Sequence, residues 1–144
     1  MSFDIRPACA ADAVSCADIV NTWIDGTSWL RRMHSCTAIT EMITQAIDLR
    51  EFWVAGDPVV GYLSFNTETS QIMGLYTAQP GNGVGRALMN RVKHGRTWLI
   101  LWSHAANLRA HDFYRREGFV EVGQKRDGAD GIPEICMEWR RVAA

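Results

Sequence analysis

Residues 71–88 read QIMGLYTAQPGNGVGRAL, and no other stretch limits the fold so tightly. QIMGLYT has the composition of a strand. It runs into three alternate glycines, Gly81, Gly83 and Gly85, after which Val84, Ala87, Leu88 and Val92 recur at helical spacing up to about His94. Glycine reaches dihedrals and close approaches that a Cβ forbids, at a cost in backbone entropy. A strand that passes through such a run into an amphipathic helix implies a sheet with that helix folded back upon it. The first N–H groups of the helix then lack intrahelical partners and can face an anion. Two readings follow: a phosphate cradle, or a surface turn that is merely rich in glycine.

Spacing narrows the first reading. A nucleotide-triphosphate loop needs GxxxxGK followed by Ser or Thr. Here Gly81 and Gly85 stand one residue too close, Arg86 takes the lysine position, and Ala87 follows. A dinucleotide fingerprint needs GxGxxG in a parallel βαβ unit, whereas residues 81–85 are GxGxG and follow a hairpin pattern.

The rest of the chain supplies the sheet. Cys16, Ile19, Val20 and Trp23 mark a helix over about residues 11–24, and Ile39, Met42, Ile43, Ala46 and Ile47 a second one that Thr37 is placed to cap. EFWVAG and VVGYLSF read as a hairpin, and QIMGLYT as the third strand. TWLILWS is nearly all apolar and reads as a strand buried on both faces. A helix over residues 107–117 ends at Gly118, and FVEVGQK and IPEICMEW close the chain as strands. With the short run at residues 3–6, the order is β-α-α-β-β-β-α-β-α-β-β: a single α/β domain with a mixed sheet over residues 1–144.

At 144 residues and a formal net charge of −1, the chain has no basic excess to suit nucleic acid as a partner. It shows no signal-peptide pattern and no apolar run of membrane-spanning length. Cys9, Cys16, Cys36 and Cys136 are scattered without a CxxC and match no usual zinc spacing with the histidines, so no metal is expected, and a reduced, cytoplasmic protein fits best.

The second motif is SHAANLRAHDFYRREGF, residues 103–119. Its Asn107, Ala110, Phe113, Tyr114, Gly118 and Phe119 resemble the N..A..FY...GF signature of the GCN5-related N-acetyltransferase (GNAT) superfamily, and QIMGLYT with GNGVGRAL is similar to that family's acetyl-CoA loop. The resemblance covers nearly the whole chain. It implies acetyl-CoA as cofactor and transfer of an acetyl group to a primary amine of a small molecule or peptide. Leu75, Tyr76 and Thr77 would offer backbone groups to the pantetheine arm, and Gly81, Asn82, Gly83, Val84, Gly85 and Arg86 would wrap the pyrophosphate. Asn107 and Phe113 would border the cofactor, and Tyr114 would be the general acid beside sulfur. Pro80, which has no N–H, stands where the family often has Arg or Gln, with Gln79 just before it.

For a general base the residues leave three choices: His104 after the apolar strand, Glu68 acting through water from the turn before QIMGLYT, or an ordered water with no single protein base. Asp25, Trp29 and His34, between the first two helices, are expected at the acceptor site, with Glu134 to hold the substrate ammonium. Trp23 and Trp29 as mere loop anchors are an equal reading. Cys136–Trp139, on an expected edge strand, would suit a homodimer of the kind frequent in this fold. A non-catalytic sensor of acyl-CoA or CoA on the same scaffold is the competing reading; Tyr114 weighs against it, because a sensor needs no proton donor.

Overall fold

The structure, a computed structural model, describes residues 3–142. Its elements are β1 (Ile5–Pro7), α1 (Ala13–Asp25), α2 (Cys36–Leu49), β2 (Glu51–Ala55), β3 (Gly61–Asn66), β4 (Gln71–Thr77), α3 (Val84–Lys93), β5 (Trp98–His104), α4 (Leu108–Arg116), β6 (Val120–Asp127) and β7 (Pro133–Arg140). This is the expected order, and the strands form one mixed sheet in the order β1-β2-β3-β4-β5-β7-β6.

Side-chain alternation along the strands sorts the core into two clusters on opposite faces. Phe52, Val54 and Tyr62 pack under α1 and α2 with Cys16, Val20, Ile39 and Ile43. Leu63, Phe65, Leu99, Leu101 and Met137 pack under α3 with Val84, Leu88, Met89 and Val92. Each fully buried aliphatic side chain contributes roughly 1.5–3 kcal/mol, so both layers are held to the sheet by apolar burial and not by helix propensity.

Local signals fix the helix ends. Asp12 is buried just before α1, where its carboxylate takes two bonds of 2.8 Å from the Arg6 guanidinium and one of 2.8 Å from the Cys9 N–H. Helix α2 is capped by Ser35, whose hydroxyl accepts from the Ala38 N–H at 3.1 Å, and not by Thr37. The helix starts at Cys36, so Thr37 already lies within its first turn. Helix α4 ends in a Schellman turn: the Phe119 N–H donates to the Tyr114 carbonyl at 2.9 Å and the Gly118 N–H to the Arg115 carbonyl at 3.0 Å. Gly118 has φ of 95°, and a Cβ there would meet the Trp139 ring at 3.1 Å; Phe119 is buried.

Two strand expectations change. β5 alternates instead of being buried on both faces: Leu99, Leu101 and Ser103 are buried, while Trp98, Ile100, Trp102 and His104 are only partly covered. No helix core covers the second face there, and large aromatic rings take that place. β7 is not an edge strand, because it lies between β5 and β6. Its Cys136, Met137 and Trp139 are buried within this chain, so they offer no dimer edge.

The feature that positions the site is an opening in the sheet. Among the described residues, β4 and β5 are the one parallel pair, joined only at Gln71–Ile100 and Ile72–Leu101. Beyond Ile72, β4 stays with β3, across a bulge at Ser64/Phe65, while β5 stays with β7 as far as His104. The bulge turns β4 away, and the backbone edge of residues 73–77 facing β5 is left without a strand partner.

Candidate active site

One mouth of the opening is made of backbone. The chain leaves β4 at Thr77 through an exposed loop and enters α3 at Val84. Gly81 and Gly83 have φ of 87° and 86°, the left-handed region that a β-carbon disfavours, and Gly83 is the N-cap of α3. Asn82 turns its side chain toward the Val84 N–H at 3.4 Å. Space is open around Gly81, where a Cβ would meet nothing within 4 Å. Gly85 serves another purpose: a Cβ would lie 3.2 Å from the Phe113 ring, so its absence lets α4 close on α3. Helix N–H groups, two left-handed glycines and exposed Arg86 together fit an anionic phosphate group, and the free edge of Leu75–Thr77 fits amides of an extended arm.

Tyr114 stands where α4 crosses this region, with its ring 5.5 Å from Phe113 and 5.7 Å from Phe119. Its hydroxyl bonds to no described residue, yet is not sealed off. Burial, reinforced by nearby Tyr76, pushes the Tyr114 phenol well above its ordinary value, so it stays protonated at neutral pH. Asn107 caps α4, its side-chain oxygen accepting from the Ala110 N–H at 3.3 Å. Its amide nitrogen has no partner among the described residues.

The other mouth is made of side chains. A cavity of about 480 Å³ is walled by Trp23, Arg31, His34, Tyr76, His104, Asp130 and Glu134, among others. Tyr76 forms its floor and packs 5.2 Å from Trp23. Burial, with Asp130 and Glu134 adding negative charge, pushes the Tyr76 phenol up to about 12. A smaller cavity of about 270 Å³ lies on the far side of Tyr76, under α1 and α2.

This geometry sorts the acceptor and base candidates. His104 and Glu134 lie directly opposite each other in the β5–β7 register, and both line the cavity with His34. Trp29 backs the His104 ring at 5.1 Å. Asp25 is turned outward, held by Arg32 at 2.8 Å, and does not line the cavity. Glu68 lies apart from all of these. It is exposed in the turn before β4, with its N–H bonded to Asn66 at 2.9 Å, and a seven-residue strand puts it about 20 Å from the open end.

A family model described as "Acetyltransferase (GNAT) domain" matches residues 10–141. The chain belongs to this GNAT acetyltransferase family. It is accordingly an acetyltransferase, with transfer from coenzyme A as the general activity. Solved structures share the fold. YjaB from Escherichia coli in its apo form superposes with a TM-score of 0.76 at 20% identity, over 96% of this chain and 98% of that one. A ribosomal-protein-alanine N-acetyltransferase from Brucella melitensis gives 0.72 at 23% identity, over 96% and 99%. YncA from Salmonella typhimurium, a putative acetyltransferase determined with acetyl-CoA, gives 0.71 at 20% identity, over 100% and 98%. No curated protein matches the chain significantly.

Three residues of this GNAT chain that bond to site candidates or shape the segment around them carry no clear mark in the sequence. Asp130, within what reads only as the turn RDGADG, bonds His104 Nε2 at 2.7 Å. His111, buried on α4, donates from Nε2 to the His104 carbonyl at 3.0 Å and so ties α4 to the end of β5. Arg32 reaches Asn21 Oδ1 at 2.8 Å and the His34 carbonyl at 3.0 Å, which gives the segment between α1 and α2 its shape. His111 at i+4 from Asn107 had a helical-face signal; Asp130 and Arg32 had none. Among the described residues no three His, Cys, Asp or Glu gather as a metal site. No helix among them is long and apolar enough to cross a membrane.

Proposed function

We propose that the protein moves an acetyl group from acetyl-CoA directly to a primary amine of a small molecule or peptide. The observation that carries this reading is the opening between β4 and β5, with phosphate-compatible backbone at one mouth and an aromatic, acidic cavity at the other. The fold shared with YncA, determined with acetyl-CoA, supports it. Residues 81–86 hold the pyrophosphate through backbone N–H groups, and Leu75–Thr77 hold the pantetheine amides. Asn107 and Phe113 flank them. Coenzyme A, when bound, supplies the acetyl group as a thioester.

The chain's own residues then handle the proton transfers and the acceptor's charge. Tyr114 Oη, kept protonated by burial, is the donor for a departing thiolate. His104 takes the proton that the amine must lose in order to attack. Trp23 packs against the acceptor, Trp29 backs His104, and Glu134 attracts the ammonium form of the acceptor. Glu134 is shared with Arg126 at 2.8 Å, so it steers the amine without trapping it. The four cysteines are unpaired, in keeping with a reducing, cytoplasmic setting.

Calorimetric titration tests the cofactor half, with micromolar binding of acetyl-CoA expected; no binding would refute the reading. A panel of amines followed by thiol release tests the other half. Binding without turnover on any amine would leave the protein as a CoA sensor.

A further inference from the structure

We propose that Asp130 is the positioning residue for His104, holding its ring as the Nε2–H tautomer so that Nδ1 is the nitrogen that receives the acceptor's proton. The inference rests on His104 being the base, as proposed above, and adds what makes it one. His104 Nε2 lies 2.7 Å from Asp130 Oδ2, with both side chains only 18% exposed. The second Asp130 oxygen accepts from the Ile132 N–H at 3.0 Å, which fixes the carboxylate in the turn between β6 and β7. Trp23 stacks on the imidazole at 6.3 Å with 28° between planes, and Trp29 packs at 5.1 Å. The tryptophans hold the plane of the ring, and within that plane only the bond to Asp130 selects the orientation, because a flip would put a carbon in place of Nε2.

A carboxylate only accepts hydrogen bonds, so neutral His104 must carry its hydrogen on Nε2. Burial alone would raise the Asp130 carboxyl, but the Ile132 N–H and the His104 ring outweigh it and hold it below its ordinary value. Asp130 is thus ionised at neutral pH. Nδ1 bonds to no described residue. The other charged groups around the ring are Glu134, opposite His104 and already paired with Arg126, and Arg31, Arg32 and His34 on the cavity wall. None of these is bonded to the imidazole.

The protons balance. The bound ammonium first gives one proton through Nδ1 to solvent; as the N–C bond then forms and the C–S bond breaks, nitrogen loses its second proton to Nδ1 and Tyr114 Oη gives one to sulfur. His104 then releases its proton to solvent and Tyr114 regains one. Asp130 stabilises the imidazolium between these events.

Nitrogen-detected NMR of the imidazoles, with His104 assigned through His104→Gln, reads the tautomer with no substrate present. A single Nε2–H tautomer is expected in the parent protein and a mixture in Asp130→Asn. Thiol release from acetyl-CoA with the best amine of the panel should fall about 10- to 100-fold in kcat for Asp130→Asn. Acetyl-CoA affinity should be unchanged, and Asp130→Glu should recover most of the rate. An unchanged tautomer, or full kcat, in Asp130→Asn with His104→Gln inactive would overturn the role of Asp130 and leave His104 as the base. Full activity in His104→Gln would overturn the base assignment itself. Should Asp130→Asn fail to bind acetyl-CoA, Asp130→Glu decides: a mixed tautomer with full kcat overturns the proposal, and a parent-like tautomer with parent-like kcat supports it.

Discussion

The mouth that we propose for the donor comes from nearly continuous chain, residues 75–86, with Phe113 of α4 set against Gly85. The acceptor mouth is gathered from the end of α1, the segment after it, the floor of β4, the tip of β5 and the turn before β7. One works through backbone geometry, the other through side chains. Backbone recognition needs glycines at set positions, so it leaves a short, ordered mark in the chain. A cavity of side chains needs only that its residues meet in space, so its members carry no spacing at all. The donor mouth thus suits a fixed cofactor, while the acceptor mouth is free to differ in specificity on the same scaffold.

Substitutions can break this division or sharpen it. Tyr114→Phe, at the junction of the two mouths, should have the largest effect: kcat down by about 10²- to 10⁴-fold, with acetyl-CoA affinity within about threefold of the parent. Steady-state kinetics beside calorimetry would show this, and equal losses in both would make Tyr114 structural. Gly83→Val forces a β-branched residue to a φ of 86°. It should weaken acetyl-CoA binding by about tenfold or more and lower stability by about 1–3 kcal/mol. Unchanged affinity by calorimetry would remove the loop from the cofactor site.

Arg32→Ala should strike the acceptor mouth alone. It strips Asn21, which is buried, and Asp25 of their partner. The KM for the amine should rise several-fold while acetyl-CoA affinity holds; a matching loss of cofactor affinity would mean that the two mouths are coupled. Glu68→Ala is expected to change no rate by more than about twofold, since the residue sits at the wrong end of β4. A large loss would return Glu68 to the list of bases.

How far each region was legible follows from the same division. Apolar periodicity is a local property, and it marked the order of all eleven major elements. Its failures are also local: Thr37 has the chemistry of a cap although Ser35 fills that place, and TWLILWS hides an alternation under aromatic residues at Trp98 and Trp102. Strand order is not local, so β7 could be taken for an edge strand. The two motifs with glycine or Asn-to-Phe spacing marked the family and the region that we propose for the cofactor. Asp130, in a turn of glycines and aspartates, looked like any turn residue.

The element order, the family and the glycine turn into α3 were legible residue by residue, because helix period, strand period and the dihedrals open only to glycine are local properties. Packing between distant segments sets that β4 parts from β5 after Ile72, that Glu68 lies apart from the cavity, and that Asp130 meets His104 at 2.7 Å. Those depend on strand pairing and on contacts between distant segments. A hydrogen bond across 26 residues exists only once the sheet has brought its two ends together.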